Sequence, residues 1–195
     1  MCLCALVSLC FLLSVPSSAF AQQAPNWEFF AGYSIERSTV REFYKSTPII
    51  FTFRERYLNQ DGWELSVTEN VNRWFGGTFQ ATGHYKSSEA LGSANRHRTH
   101  SIMYGPKFSH RMNWASPYGH VLFGINRSSV RVSPGPHAEE TGFAVAAGLG
   151  LDVKLGSKMA ARAFQLQYSP MNQVATKRHK FQASAGVVFY LGDTR

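Results

Sequence analysis

From Trp27 onward, apolar side chains recur at every second position, and the pattern returns in eight separate stretches. A period of two belongs to a β-strand whose two faces meet different surroundings, so an all-β chain is expected. Trp27, Phe29, Ala31, Tyr33 and Ile35 form the first apolar row, with Glu28, Phe30, Gly32, Ser34 and Glu36 opposite. The second sets Trp63, Leu65, Val67 and Val71, interrupted by Glu69, against Glu64, Ser66, Thr68 and Asn70. The third carries Phe75, Phe79, Ala81 and Tyr85, and the fourth, over residues 100–110, carries Ile102, Tyr104 and Phe108. Pro106 lies inside that fourth stretch and implies a bulge or a strand end there. Val121, Phe123 and Ile125 mark the fifth, and the sixth runs from Phe143 to Val153, with Gly148, Gly150, Asp152 and Lys154 on its other face. Phe164, Leu166 and Tyr168 mark the seventh, and Phe181 to Leu191 the eighth. Arg162 shares parity with the outward Phe164, which implies a bulge there or a place at the lower interface.

The connections alternate in length. Residues 72–76, 111–117 and 155–159 are tight, whereas 37–61, 86–98, 127–140 and 170–180 are long and polar. Short turns at one end and long loops at the other imply an eight-stranded antiparallel up-and-down barrel. In the first long connection Ile49, Phe51, Phe53 and Tyr57 also alternate. They either extend the hairpin or form two further strands. The row opposite the apolar one is rich in Gly, Ser, Thr, Asn and Gln and poor in charge, as a narrow hydrogen-bonded lumen requires. A soluble barrel would place its bulky residues inside. Ten-residue tilted strands cross the hydrocarbon layer, and closure leaves no unpaired edge in lipid. The expected interfacial girdles comprise Trp27, Trp63, Trp74, Phe75, Tyr85, Tyr118, Tyr168 and Tyr190. A mean hydropathy of -0.20 excludes a bundle of membrane helices. The soluble alternative is a periplasmic lipocalin-like barrel or sandwich with its aromatic rows packed into a core.

Export is legible at the N-terminus. Residues 1–21 hold an apolar run from Leu3 to Val15 and then Ala19-Phe20-Ala21, the form of a cleaved signal peptide. Cys2, Cys4 and Cys10 all fall within it, so the barrel domain, 22–195, is expected to be stable without disulfides. A net charge of +8 suits anionic lipid or lipopolysaccharide phosphates, and export argues against nucleic acid.

The last strand resembles the C-terminal signal read by the outer-membrane insertion machinery, through Ser184, Gly186, Phe189 and Leu191. Further pieces are Gly62-Trp63 with Asn70-Val71-Asn72-Arg73-Trp74-Phe75-Gly76, and Tyr104-Gly105-Pro106-Lys107-Phe108. His120-Val121-Leu122-Phe123-Gly124 and Gly150-Leu151-Asp152-Val153-Lys154 complete the set. Together they are similar to the OmpA-like outer-membrane beta-barrel domain family. The resemblance implies eight strands, both termini in the periplasm, location in the bacterial outer membrane, and handling by insertion machinery and periplasmic chaperones. Larger members add a peptidoglycan-binding domain, which is not expected here.

Candidate chemistry is sparse. His84, His97 and His100 are expected near one another at the second outer loop, and His137 and His179 on theirs, without a metal-ligand spacing. A lipid hydrolase would need a Ser, a His and a carboxylate at one membrane level. The adjacent pairs His100-Ser101 and Ser109-His110 point to opposite faces. The inner charges Glu28, Glu64, Asp152 and Lys154, with Arg162, are expected to pair across the lumen. Basic residues crowd the long connections: Arg37, Arg41 and Arg54, then Arg96 and Arg98, then Arg127 and Arg131, then Lys177 and Arg178. They suit lipopolysaccharide phosphates or the acidic sugars of another surface. The expectation is a monomeric structural or surface-interacting barrel, with no catalytic role, cofactor or metal. A small pore is the alternative, and a lipid-modifying enzyme the remoter one.

Overall fold

The computed structural model describes residues 25–47, 50–90, 93–133, 137–173 and 176–192. Side chains are described within these spans except at 40–47, 50–56, 88–90, 93–95, 132–133, 137–138, 171–173 and 176–178. The expected leader, 1–21, lies outside the described residues. Eight strands follow in order: β1 (Trp27–Thr47), β2 (Ile50–Asn70), β3 (Phe75–Ala90), β4 (Ser93–Ser109), β5 (Ala115–Ser133), β6 (His137–Lys154), β7 (Met159–Gln173) and β8 (Thr176–Leu191). Each pairs antiparallel with the next, and β8 returns to β1, closing the barrel. Closure satisfies every strand edge, the condition for strands to sit in hydrocarbon.

The barrel is inside-out. Among the described residues, 27 buried side chains are polar or charged and nine are hydrophobic, while 27 large hydrophobic side chains are exposed. A soluble barrel reverses that ratio, so the aromatic rows face lipid. The parity of each apolar row is kept: Ile35, Trp63, Phe79, Ile102, Phe123, Phe143, Leu166 and Phe181 are all exposed. Two expected girdle residues are corrected. Tyr118 is buried in the lumen and Tyr190 packs against the inward Phe30, Ala160 and Val188, because both occupy inner-row positions.

Strands reach 15 to 21 residues, beyond the apolar rows, because the long connections continue the ladder instead of looping. The register from Arg37↔Asn59 through Phe43↔Phe53 to Lys45↔Phe51 makes residues 37–47 and 50–61 one continuous antiparallel ladder and excludes two further strands among the described residues. At the opposite end the turns are tight. In the first, the Asn72 side-chain oxygen accepts hydrogen bonds from the Trp74 and Phe75 amides at 3.0 and 2.8 Å, an Asx turn.

Pro106 makes neither a bulge nor a strand end. The ladder to β5 skips Gly105 and Pro106 and resumes at Lys107↔His120 in unchanged register, held by Gly105↔Thr78 and Pro106↔Gly77 on the other side. The bulge lies in β7. Asp152 pairs with Arg162 and Leu151 with Phe164, so Ala163 is the extra residue and Arg162 turns inward.

Candidate functional site

The lumen is filled by three layers of polar contacts. At the end with the short turns, Glu28 receives Lys107 Nζ at 2.7 Å, Arg111 Nη2 at 2.5 Å and Asn70 Nδ2 at 3.0 Å. In the middle, Asp152 accepts Arg162 Nε and Nη2 at 2.8 and 3.1 Å. That guanidinium also donates to Gln165 at 2.8 Å and lies 4.1 and 4.6 Å from the rings of Phe30 and Tyr118. Gln165 and Gln182 donate to the two oxygens of Glu64 at 2.7 and 2.8 Å, and Tyr118 donates to Gln165 at 2.6 Å. Towards the outer end, Lys180 pairs with Glu36 at 2.9 Å.

Among the described buried side chains, Glu28, Glu36, Glu64 and Asp152 are balanced one for one by Lys107, Arg111, Arg162 and Lys180. Buried charge is tolerable on these terms, paired and hydrogen-bonded. The void lined by Glu36, Ser101, Met103, Asn126 and Lys180 holds about 10 Å³, room for about one water. Beside it Met103, Leu122, Ala144 and Ala146 form an apolar plug.

This arrangement differs from the pairing expected among Glu28, Glu64, Asp152, Lys154 and Arg162. Arg162 pairs with Asp152, but Glu28 takes Lys107 and Arg111, and Glu64 takes amides. Lys154 sits half-buried at the last rung of β6, beside the short turn. Lys107, Lys180 and Glu36 were legible as inner-row residues by parity, but which strand faces which across the lumen depends on the stagger of the closed sheet. Nor do His84 and His100 share a face. His84 points inward and is buried, whereas His100 is exposed on the outer wall, 5.5 Å from the Tyr85 ring. Among the described residues, no three His, Cys, Asp or Glu side chains could hold a metal ion.

One constellation was missed entirely. His84 Nε2 shares a 2.9 Å hydrogen bond with Ser34 Oγ, and His84 Nδ1 lies 3.5 Å from Glu36. Gly62 stands between Ser34 and His84 in the register, and a Cβ there would come within 2.8 Å of the imidazole. The glycine leaves room for the ring beside the wall. Ser, His and carboxylate are the residue types of an acyl-transfer relay. Here, however, Ser34 is fully buried, Lys180 occupies the carboxylate, and the adjacent void is lined by neither Ser34 nor His84.

The outer wall carries the second candidate site. Beyond Ile102 and Ile125 the outward rows turn basic: His100, Arg98 and Arg96 on β4, Arg127 and Arg131 on β5. These are strand residues, not loop residues as expected. Arg96 stands directly opposite Arg131, and Arg98 opposite Ser129. Arg96, Arg98, Ser129, Arg131 and Glu139 line a groove of about 140 Å³, and Arg127 forms an ion pair with Glu139. On the far side of the barrel Arg37 points outward, its guanidinium 4.2 Å above the Tyr57 ring. Arg41 and Arg54 lie on β1 and β2, next to the partners Glu55 and Glu42, and Lys177 and Arg178 on β8, with side chains outside the described residues. In β8, Ser184 faces the lumen, Gly186 pairs with Gly32 of β1, and Phe189 and Leu191 face lipid.

Comparison with solved structures returns the same architecture. Neisserial surface protein A is 13% identical with a TM-score of 0.65, covering 85% of this chain and 97% of its own. OprG from Pseudomonas aeruginosa is 11% identical with a TM-score of 0.58, covering 88% and 98%. Ail, the attachment invasion locus protein of Yersinia pestis, is 18% identical with a TM-score of 0.56, covering 85% and 99%; that structure is a complex with the heparin analogue sucrose octasulfate. No curated protein matches the sequence. The outer membrane protein beta-barrel domain family matches residues 7–189, nearly the whole chain. The protein is thus an integral barrel of the bacterial outer membrane, OmpA-like in architecture, and belongs to the outer membrane protein beta-barrel domain family.

Proposed function

We propose that this barrel is a non-catalytic binding protein of the cell surface whose basic outer wall takes clustered phosphates or sulfates on sugars, lipopolysaccharide first among them. The observation that carries this reading is the facing pair Arg96 and Arg131, flanked by Arg98. Like charges directly opposite on one sheet face destabilise it. At about 5 Å in water the repulsion is about 1 kcal/mol, and it grows as the dielectric falls near lipid. A polyanion bridging the guanidiniums turns that cost into charge-assisted hydrogen bonds. Height supports the choice, since the patch begins at the first outward positions beyond the apolar rows, where lipid phosphates lie. The sulfated sugar bound by Ail, a barrel of the same fold, is a ligand of the same chemistry. Assembly would use Ser184, Gly186, Phe189 and Leu191 as the insertion signal, and the barrel would act as a monomer.

Binding of deacylated lipopolysaccharide and of heparin to the purified barrel tests this, by calorimetry across a salt series. The expected result is affinity that falls with added salt and drops about tenfold or more in R96A/R98A/R131A. Equal binding by that variant refutes the reading. Heparin binding without lipopolysaccharide binding would assign the patch to another cell's glycans.

A further inference from the structure

The lipid-facing wall opposite the basic patch is not a smooth belt. Across β6, β7, β8 and β1, one outward row reads Leu149, Leu166, Ala183 and Ile35 in register. The row above it reads Ala147, Tyr168, Phe181 and Arg37. Ala147 and Ala183 are low points between bulky neighbours, and together the rows enclose a concavity of about 590 Å³. That is the volume range of a ligand site. Its wall is stiffened at the top: the Tyr168 hydroxyl is hydrogen-bonded to His179 Nδ1 at 2.6 Å, and its ring lies 5.0 Å from Phe181. Arg37 is the first outward-facing charged residue on β1 beyond the apolar row.

Location dictates what fills such a groove, because an outer-membrane barrel presents this face to acyl chains. Hydrocarbon has no hydrophobic drive to leave hydrocarbon, so selection must come from dispersion contacts in a fitted trough and from a charge at its mouth. Arg37 supplies that charge. Its guanidinium lies 4.2 Å above the Tyr57 ring, and the edge of that flat group offers several N–H donors to phosphate oxygens.

We propose that this groove is a seat for one acyl chain of a phosphorylated outer-leaflet glycolipid of the lipid A class, with Arg37 holding the phosphate. The proposal rests on the preceding reading for the kind of lipid, but it uses the opposite side of the barrel. Two independent lipid contacts follow: headgroup sugars on β4 and β5, and a chain with its phosphate on β6 to β1.

The test is native mass spectrometry of the detergent-purified full barrel with bisphosphorylated lipid A, against a phosphatidylethanolamine of the same chain length. Wild type is expected to retain lipid A in preference to phosphatidylethanolamine. A147L/A183L, which fills the trough with lipid-facing side chains, and R37A are each expected to weaken retention about tenfold. A147L/A183L, which removes no charge, should bind deacylated lipopolysaccharide normally, whereas R96A/R98A/R131A should lose that binding. Heat-modifiable gel mobility confirms that each variant is folded. Undiminished lipid A retention in A147L/A183L, or equal retention of phosphatidylethanolamine by wild type, overturns the groove proposal and leaves the basic-patch reading standing.

Discussion

Removing Asp152 should expose how dry the lumen is. Its carboxylate accepts two charge-assisted hydrogen bonds from Arg162, at 2.8 and 3.1 Å, and both side chains are buried. In D152A the guanidinium keeps Gln165, the Phe30 and Tyr118 rings and the more distant Glu64 carboxylate, but loses the carboxylate that is hydrogen-bonded to it. Each lost bond of this class contributes about 1.5–3 kcal/mol. Breaking a buried pair from one side costs about 3–5 kcal/mol. D152A should therefore lower the unfolding free energy by about 4 kcal/mol. D152A/R162M, which removes both charges and keeps an apolar stem, should return to within about 1 kcal/mol of wild type. Urea unfolding of the barrel in lipid vesicles, followed by tryptophan fluorescence, reads both values. A loss below about 1 kcal/mol in D152A, with no recovery in the double variant, would mean that water already solvates Arg162, and the filled-lumen argument would fail.

Three further outcomes are expected. Planar-bilayer recordings of wild type should show no stable unitary conductance, since the outer void is about one water in size; reproducible steps would restore the pore. A fluorophosphonate probe should leave Ser34 unlabelled, because the hydroxyl is fully buried; stoichiometric labelling that S34A abolishes would reopen the hydrolase reading. G62A should destabilise the barrel by about 2 kcal/mol or more, as a Cβ at that position falls 2.0 Å from the Gly83 carbonyl oxygen and 2.8 Å from the His84 ring. Wild-type urea stability in G62A would show that the His84 ring does not need that room beside the wall.

Period-two parity carried most of the fold, and it failed where residue type was allowed to override it. Tyr118 and Tyr190 were expected in the girdles because aromatics favour interfaces, although both fall on inner rows. Arg162 worked the other way: its parity clashed with its charge, and the clash marked the bulge at Ala163. The hairpin extensions were hidden for a physical reason. Above the membrane both faces of a strand meet water, so Arg96, Arg98 and Arg127 alternate with other polar residues and lose the contrast that marks a strand. Partners across the lumen were less legible still. Glu28 is separated from Lys107 by 79 positions, and Ser34 from His84 by 50; each meeting depends on sheet stagger, and the second also on a glycine between them.

Among the described residues, β1 and β2 of the first hairpin are the longest strands, at 21 residues each. β1 continues ten positions beyond Arg37, to Thr47, with β2 paired beside it almost throughout. At about 3.3 Å per residue and a tilt of about 40°, Thr47 stands about 25 Å above the level of Arg37. β7 and β8, at 15 and 16 residues, form a lower rim. On the side of the first hairpin the described part of the ladder, from Arg37 to Thr47 on β1 and from Ile50 to Asn59 on β2, stands clear of the membrane, where an approaching antibody, phage or neighbouring cell can meet it. Changes there therefore alter what the bacterium displays while leaving the membrane-embedded wall, and the lipids seated on it, untouched.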